Sequence, residues 1–277
     1  MPLGLSLILL GKKGNKMAKN YDELTFTDDF MFCKVLENNP EICRELLEMI
    51  LNVKIRKIVC TNKQKTIEIT SDGKGIRLDV YLEDAENTIY DIEMQTTEQK
   101  DLPKRSRYYQ GMIDLNLIER GAKYKELKKS YIIFICLSDP FKKGFPLYHF
   151  YNTCKEMPDL QLNDEAHKIF VNAKGNIDNA TDNMKAFLQY LCGMKTDNSF
   201  IKKIDSAVEQ AIKHDEWRTE YMTLLMRDKE KKEEGFSNAI EVMTYLKKNP
   251  FEPDEAIAEL FSCTSEDVAK IRQAINA

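Results

Sequence analysis

The sequence predicts a mixed α/β fold with a central mixed sheet, followed by an all-helical C-terminal region. Three observations support this class. Alternating apolar and polar residues recur between residues 54 and 95, helical periodicity flanks them, and strand signals stop after about residue 176. The 277 residues are 43% hydrophobic and 31% charged, which is typical of a folded globular protein and excludes a disordered chain.

The first half of the chain contains the elements of the predicted α/β core. A first helix carries Phe30, Met31 and Val35 on one face and ends at residues 38–40. The other elements are a helix at 41–51, strands at 54–60, 67–70, 76–82 and 89–95, a helix from Pro103 to about Arg120, and a buried strand at 131–137.

The second half of the chain reads as helical. Residues 179–235 are predicted to be helical, and three short helices follow at 236–248, 254–261 and 265–276. We therefore expect an N-terminal extension at 1–20, an α/β domain at 21–175, a helical region at 176–235 and a helical tail at 236–277.

Cysteine usage and the N-terminus indicate the compartment. The seven cysteines are scattered, odd in number and without a CxxC pair, which favours reduced thiols in the cytoplasm. The three histidines lack metal-ligand spacing, so we expect no zinc site. The apolar run Leu3–Leu10 is too short to span a bilayer and is followed, not preceded, by basic residues, so we expect neither a membrane segment nor a signal peptide.

A predicted hairpin joins the strands at 76–82 and 89–95. Residues 85–87 suit a three-residue loop, with Asn87 in the left-handed conformation. The register then pairs Val80 with Ile92 and Leu78 with Met94 on the apolar face.

The same register brings two acids together on the polar face. Asp79 stands directly opposite Glu93, with Arg77 beside Gln95. Like charges destabilise a sheet in this position, unless a divalent cation lies between them. Hard oxygen ligands with few protein partners favour Mg²⁺ or Mn²⁺. The alternative is a solvated acidic face with no bound metal.

These residues resemble a known nuclease family. Asp79, followed by Glu93-Met94-Gln95, is similar to the catalytic core of the PD-(D/E)XK superfamily, and most closely to the Rpn recombination-promoting nucleases, also described as PD-(D/E)XK family transposases. The supporting stretches are residues 24–32, 72–79 and 104–110, and the resemblance covers roughly residues 21–150.

The resemblance implies a fold, an activity and roles for individual residues. It implies a restriction-endonuclease-like αβββαβ core and an Mg²⁺-dependent DNA endonuclease that promotes recombination or is linked to mobile elements. Asp79 and Glu93 would be the metal-binding catalytic acids. Gln95 stands where the superfamily usually has lysine, so positive charge would come from Arg77 or from the following helix.

Three further segments bear on partners and on the site. Residues 100–130 contain nine basic and four acidic residues, and we expect Lys104, Arg105 and Arg107 to bind DNA phosphates there. Gln110 joins them by resemblance, whereas the tyrosines at 108 and 109 more readily fit the core. For Asp28 and Asp29, an N-cap is favoured over a metal-binding role.

The tail is the third candidate interaction surface. Thr264 and Asp267 have capping-box spacing, and the two short helices around them are reminiscent of a helix-turn-helix. Residues 200–277 hold twelve basic and sixteen acidic residues, so we expect a packing or homodimerisation element rather than a DNA reader.

The sequence also bears on two other functions. A catalytically weak or inactive nuclease-fold protein that binds nucleic acid or another protein is the main alternative, because Gln95 replaces lysine. A nucleotide-dependent enzyme has no support, since neither a P-loop nor a GxGxxG motif is present.

Overall fold

The computed structural model describes residues 19–63, 66–67 and 75–276. Most of the predicted N-terminal extension, and residues 72–74 of the family-like stretch, therefore lie outside the described residues. Two compact units are present among the described residues: residues 22–214 contribute to one, and residues 19–21 and 215–276 to the other.

Six strands form the mixed sheet of the larger unit. They are β1 (Ile58–Lys63), β4 (Val80–Asp84), β5 (Ile89–Gln95), β6 (Ser130–Cys136), β7 (Leu147–Phe150) and β8 (Ala166–Asn172). Their order is β1-β4-β5-β6-β8-β7, and β5, β6 and β8 run parallel while the outer pairs are antiparallel. Two short strands, β2 (Thr66–Ile67) and β3 (Ile76–Arg77), form a separate two-stranded sheet.

Helices cover both faces of the sheet. The larger unit contains α1 (Asp29–Asn38), α2 (Pro40–Leu51), α3 (Leu102–Leu117), α4 (Asp182–Leu191) and α5 (Ser199–Ile212). Helix α3 packs on the face that carries Ile132, Phe134 and Phe170, and α1 and α2 contact β1 from the other side. Every residue of β5 and β6 is consequently buried, which explains the nearly continuous apolar sequence of β6. In β5 the polar residues Asp91, Glu93 and Gln95 are buried as well. The predicted fold class is confirmed.

The smaller unit is helical. It contains α6 (Asp215–Lys248), α7 (Asp254–Leu260) and α8 (Ser265–Asn276), and Val242, Leu246, Ile257 and Val268 form its core. Helix α6 runs without interruption through Gly235, so the separate helix expected at 236–248 was wrong. No helix in the described part of the chain is long and apolar enough to cross a membrane.

The predicted hairpin forms, but its first strand is interrupted. Val80 pairs with Ile92 and Asn87 has φ 62°, as predicted. Residues 76–82 were expected to be one strand, and this was wrong: Arg77 pairs with Thr66 in the small sheet, and regular pairing with β5 begins only at Val80. Leu78 therefore packs in the cluster under α3 instead of pairing with Met94.

Candidate active site

The interruption of the strand brings two acids together at the carboxyl end of β5. The backbone N–H of Asp79 donates to Glu93 Oε1 at 2.9 Å, and the backbone N–H of Met94 donates to Asp79 Oδ2 at 3.1 Å. Each carboxylate is thus held by the backbone of the other segment. The sequence predicted that Asp79 and Glu93 lie opposite each other as a pair in the β-ladder. In the structure the two residues are neighbours, but reciprocal hydrogen bonds between side chain and backbone hold them together.

Arg105, in the first turn of α3, is the cation that contacts Glu93 directly. Its Nη2 forms an ion pair with Glu93 Oε2, and its Nη1 donates to Gln95 Oε1 at 3.2 Å. The guanidinium carbon lies 5.0 Å from the Tyr109 ring centroid and 5.3 Å from that of Phe134, so two aromatic faces fix its position. Arg105 was expected to bind DNA phosphates; the structure places it against the acids.

Gln95 is fully engaged within the protein. Its Oε1 accepts from Arg105, and its Nε2 donates to the carbonyl oxygen of Thr97 at 2.7 Å. In this arrangement Gln95 orients Arg105. The positive charge that a lysine would supply at this position is supplied by α3.

A third acid lies deeper on the same face of β5. Asp91 is completely buried two residues before Glu93, and no described residue donates a hydrogen bond to either of its carboxylate oxygens. Burial, and then repulsion from Glu93 and Asp79, raises the pKa of Asp91 well above its usual value. A proton held between Asp91 and Glu93 would give both carboxyl groups a partner. Period-two alternation predicts that Asp91 shares the face of Glu93 and Gln95, but sequence reasoning assigned it no role in the site.

The remaining acids also resist ionisation. Burial raises the pKa of Asp79 to about 6, and the nearby charge of Asp29 adds to this shift. Burial and the charge of Asp79 raise the pKa of Glu93 to about 8, although Arg105 opposes the change. The site therefore holds more carboxyl groups than Arg105 alone can keep ionised.

Asp29 completes the rim. Asp29 is exposed, and its charge acts on Asp79. Partial desolvation, together with neighbouring Asp28, raises the pKa of Asp29, and nearby Arg105 and Arg77 oppose that rise. Asp28 is the N-cap of α1, but its carboxylate accepts from the backbone N–H of Thr25 at 2.8 Å instead of from the helix. The upstream acid close to the site is thus Asp29.

The other expected DNA-binding residues separate into two groups. Lys104 and Arg107 are exposed on α3, and Arg77 is exposed on β3. Gln110 is buried near the opposite end of the sheet, where its Nε2 donates to Ser130 Oγ at 2.7 Å and to Asp114 Oδ1 at 3.0 Å. The structure therefore does not bring Gln110 to the acids. Instead, Gln110 links α3 to the start of β6 through its hydrogen bond with Ser130.

The donor chemistry fits a divalent cation. Asp79 and Glu93 present adjacent hard oxygens, and no described residue donates a hydrogen bond to Asp79 Oδ1. Within the described residues, no three His, Cys, Asp or Glu side chains are arranged to hold a metal ion together. A cation bound here would therefore take most of its ligands from water and a phosphate-bearing substrate.

Comparison with known proteins identifies the family. Residues 26–252 match the family described as PD-(D/E)XK nuclease family transposase, so the match covers most of the chain and includes every residue of the site. Searches of curated proteins and of solved structures found no significant match. Nucleases of this superfamily typically use divalent metal ions. The acids at the carboxyl end of β5, on a mixed sheet enclosed by helices, agree with that match, and the chain belongs to the PD-(D/E)XK nuclease family transposases.

Proposed function

We propose that the protein is an Mg²⁺-dependent DNA endonuclease of the Rpn type, with Mn²⁺ as a substitute, that promotes recombination or the movement of mobile elements. The observation that carries this proposal is the reciprocal locking of Asp79 and Glu93. Two acids held this rigidly, with raised pKa values and one arginine in contact with Glu93, form a site prepared for additional positive charge.

Each residue has a separate role in the proposed reaction. Asp79 and Glu93 hold the cation, and Asp29 at the rim orients water. Arg105 fixes Glu93 and faces the negative charge that develops on the phosphoryl group. The exposed Lys104 and Arg107 bind the DNA backbone beside the site. When bound, the metal lowers the pKa of a coordinated water and polarises the phosphoryl oxygen.

A plasmid-nicking assay with and without Mg²⁺ tests the proposal. We expect nicking by the wild-type protein only with the metal, and a loss of at least about 100-fold in Asp79→Asn and Glu93→Gln. Both substitutions preserve side-chain shape, so unchanged circular dichroism should accompany the loss. Wild-type nicking by Asp79→Asn would contradict the site assignment.

The second candidate is a nuclease-fold protein that binds nucleic acid or another protein without cleaving it. The ion pair between Arg105 and Glu93 favours this alternative, because a protein cation already neutralises one of the acids. Mg²⁺ titration by calorimetry discriminates between the two functions. Binding that is lost in Asp79→Asn supports the nuclease, whereas DNA binding without any metal binding supports the alternative.

We also propose a cytoplasmic location and self-association through the helical C-terminal region. The cysteines whose side chains the structure describes are free thiols, which favours a reducing compartment. Labelling of the wild-type protein in cell extract with a thiol-reactive reagent, without prior reduction, tests the location, because reduced cysteines react with the reagent and oxidised cysteines do not.

A further inference from the structure

Helix α6 contains a long stretch that nothing in the described chain covers. The helix has 34 residues, which corresponds to about 51 Å, and every residue from 226 to 238 is exposed. Its buried residues, Tyr221, Val242 and Leu246, lie towards its two ends. Since helices in water gain most of their stability from packing, a bare central stretch of this length favours a partner.

The exposed stretch carries an apolar seam with coiled-coil spacing. Met222, Met226, Phe236 and Ile240 are exposed by 49%, 62%, 59% and 48%. Together with Lys229 and Glu233 they form a series whose steps alternate between four and three residues, which is the a/d pattern of a heptad repeat. These residues therefore form a seam along one side of the exposed stretch of α6.

The charges within the seam select the partner and its direction. In an antiparallel copy related by a two-fold axis level with Lys231, Met222 meets Ile240, and Met226 meets Phe236. Lys229 of each copy then meets Glu233 of the other, and the exposed Asp215 and Lys247 near the helix ends form a further layer of opposite charge. A parallel copy would instead place Lys229 against Lys229 and Glu233 against Glu233.

The existing contact of the central pair is easily exchanged. Lys229 Nζ lies 3.7 Å from Glu233 Oε1 on its own helix, and both side chains are largely exposed. Such a surface pair contributes little to stability, so both groups are available for a second chain.

We propose that α6 is a homodimerisation helix that binds a second copy of this chain in antiparallel orientation, with the two-fold axis level with Lys231. The proposal specifies the surface for the self-association proposed above and does not depend on the nuclease chemistry. Asp79→Asn is therefore expected to dimerise like the wild type, so failure of the nuclease proposal and failure of this one are distinguishable.

Sedimentation velocity of the full chain, from about 1 to about 200 µM, tests the proposal. We expect a wild-type monomer–dimer equilibrium within this range. Lys229→Glu and Glu233→Lys should each raise the dissociation constant at least about fivefold, because each creates a like-charged layer. Phe236→Glu should abolish the dimer, while Lys231→Glu, the same charge change on the outward side of the helix, should leave it unchanged.

Mixing the two single variants is the decisive step. A Lys229→Glu chain paired with a Glu233→Lys chain restores opposite charges in both central layers, so the mixture should form heterodimers with near wild-type affinity. Loss of a pair within one helix cannot be repaired by mixing. A wild-type monomer at every concentration, or a dimer indifferent to Lys229→Glu, would overturn the proposal, and circular dichroism confirms that each variant is folded.

Discussion

At the residue scale, Arg105 explains how a buried acidic cluster is compatible with folding. Three carboxyl groups approach one another at β5, and the desolvation of each would be costly without a neighbouring cation. Arg105 contacts Glu93 and Gln95 together and is itself held by Tyr109, whose hydroxyl accepts from its Nε at 2.8 Å. A single side chain on the following helix thus joins β5 to α3 at the site.

Removal of this cation should affect both stability and activity. We expect Arg105→Ala to lower the free energy of unfolding by on the order of 2 kcal/mol, because Glu93 is left buried without a positively charged partner. Protonation of Glu93 reduces the desolvation penalty and so limits this loss. DNA nicking should fall about 100-fold or more. Urea unfolding and the nicking assay measure the two effects.

Two controls separate electrostatics from side-chain volume. Arg56→Ala removes an exposed arginine and should change neither quantity. In Arg105→Ala with Glu93→Gln, stability should largely recover because the uncompensated acid is gone. A double variant as unstable as Arg105→Ala would show that Arg105 acts through packing alone.

A histidine pair on β7 and β8 provides a pH-dependent element far from the acids. His149 Nε2 and His167 Nδ1 lie 3.0 Å apart, and partial burial lowers the pKa of both, with His149 and Lys129 adding to the shift of His167. Lys168 lowers the pKa of His167 as well, and Asp164 opposes the change.

This pair should destabilise the protein in mild acid. A histidine whose folded pKa lies below its unfolded value leaves the unfolded state with more bound protons, so stability decreases as pH falls through about 6.5. The buried acids shift the Tm in the opposite direction in both proteins, so the difference between the proteins is the informative quantity. Between pH 7.5 and 5.5, we expect the Tm of His167→Gln to rise relative to that of the wild type. A constant difference in Tm over this range would contradict the assignment.

At the element scale, the sequence correctly predicted the features of the hairpin that depend on residues close together in the chain. The register of Val80 with Ile92 and the left-handed Asn87 follow from alternation and turn chemistry. The break before Val80 was not predictable in this way, because it depends on Arg77 pairing with Thr66 in a second sheet. The positions of Arg105 and Gln110 likewise depend on how α3 packs against β6, which no periodicity reveals.

Strands β7 and β8 show a second limit of sequence reasoning. They carry few alternating residues, and β7 occupies a sheet edge where His149 and Phe150 remain exposed. The loop before β7 is instead organised by Asp139, which accepts from three backbone N–H groups and from the Tyr148 hydroxyl. Side-chain to backbone bonds of this kind leave no hydrophobic pattern.

The turn after β8 contains a glycine that packing requires. A Cβ at Gly175 would lie 2.3 Å from Pro146 Cα and 2.5 Å from Pro146 N, so the backbone would have to move. We expect Gly175→Ala to cost about 2–3 kcal/mol, measured by urea unfolding. Gly235→Ala in α6 is the matched control, since its added Cβ meets nothing within 4 Å, and helix propensity predicts a gain of about 0.5–1 kcal/mol. Similar effects of both substitutions would show that the contact with Pro146 does not matter.

At the scale of the whole molecule, a net charge of −4 conceals a separation of charge along the chain. Residues 100–130 contain nine basic and four acidic residues, and within them Lys104 and Arg107 are exposed on α3, the helix that carries Arg105. DNA binding through so few cations should have a modest dependence on salt, because the number of released counterions follows the number of phosphate contacts.

The salt dependence of DNA binding measures this surface directly. We expect Lys104→Ala and Arg107→Ala each to weaken binding and to reduce the slope of log K against log salt by about 1. Lys231→Ala on α6 should leave the slope unchanged. Fluorescence anisotropy in Ca²⁺, at several salt concentrations, measures binding without cleavage, and a slope unaffected by either α3 substitution would place the DNA elsewhere.

The position of Arg105 also has a consequence for how the protein is made. Because the chain supplies its own counter-ion to Glu93, the acidic cluster is partly neutralised as soon as α3 docks on the sheet. Completion of the fold during synthesis then need not await a metal ion. A newly made molecule would therefore be folded before any metal ion binds, and on the function proposed above the supply of Mg²⁺, not folding, would limit activation.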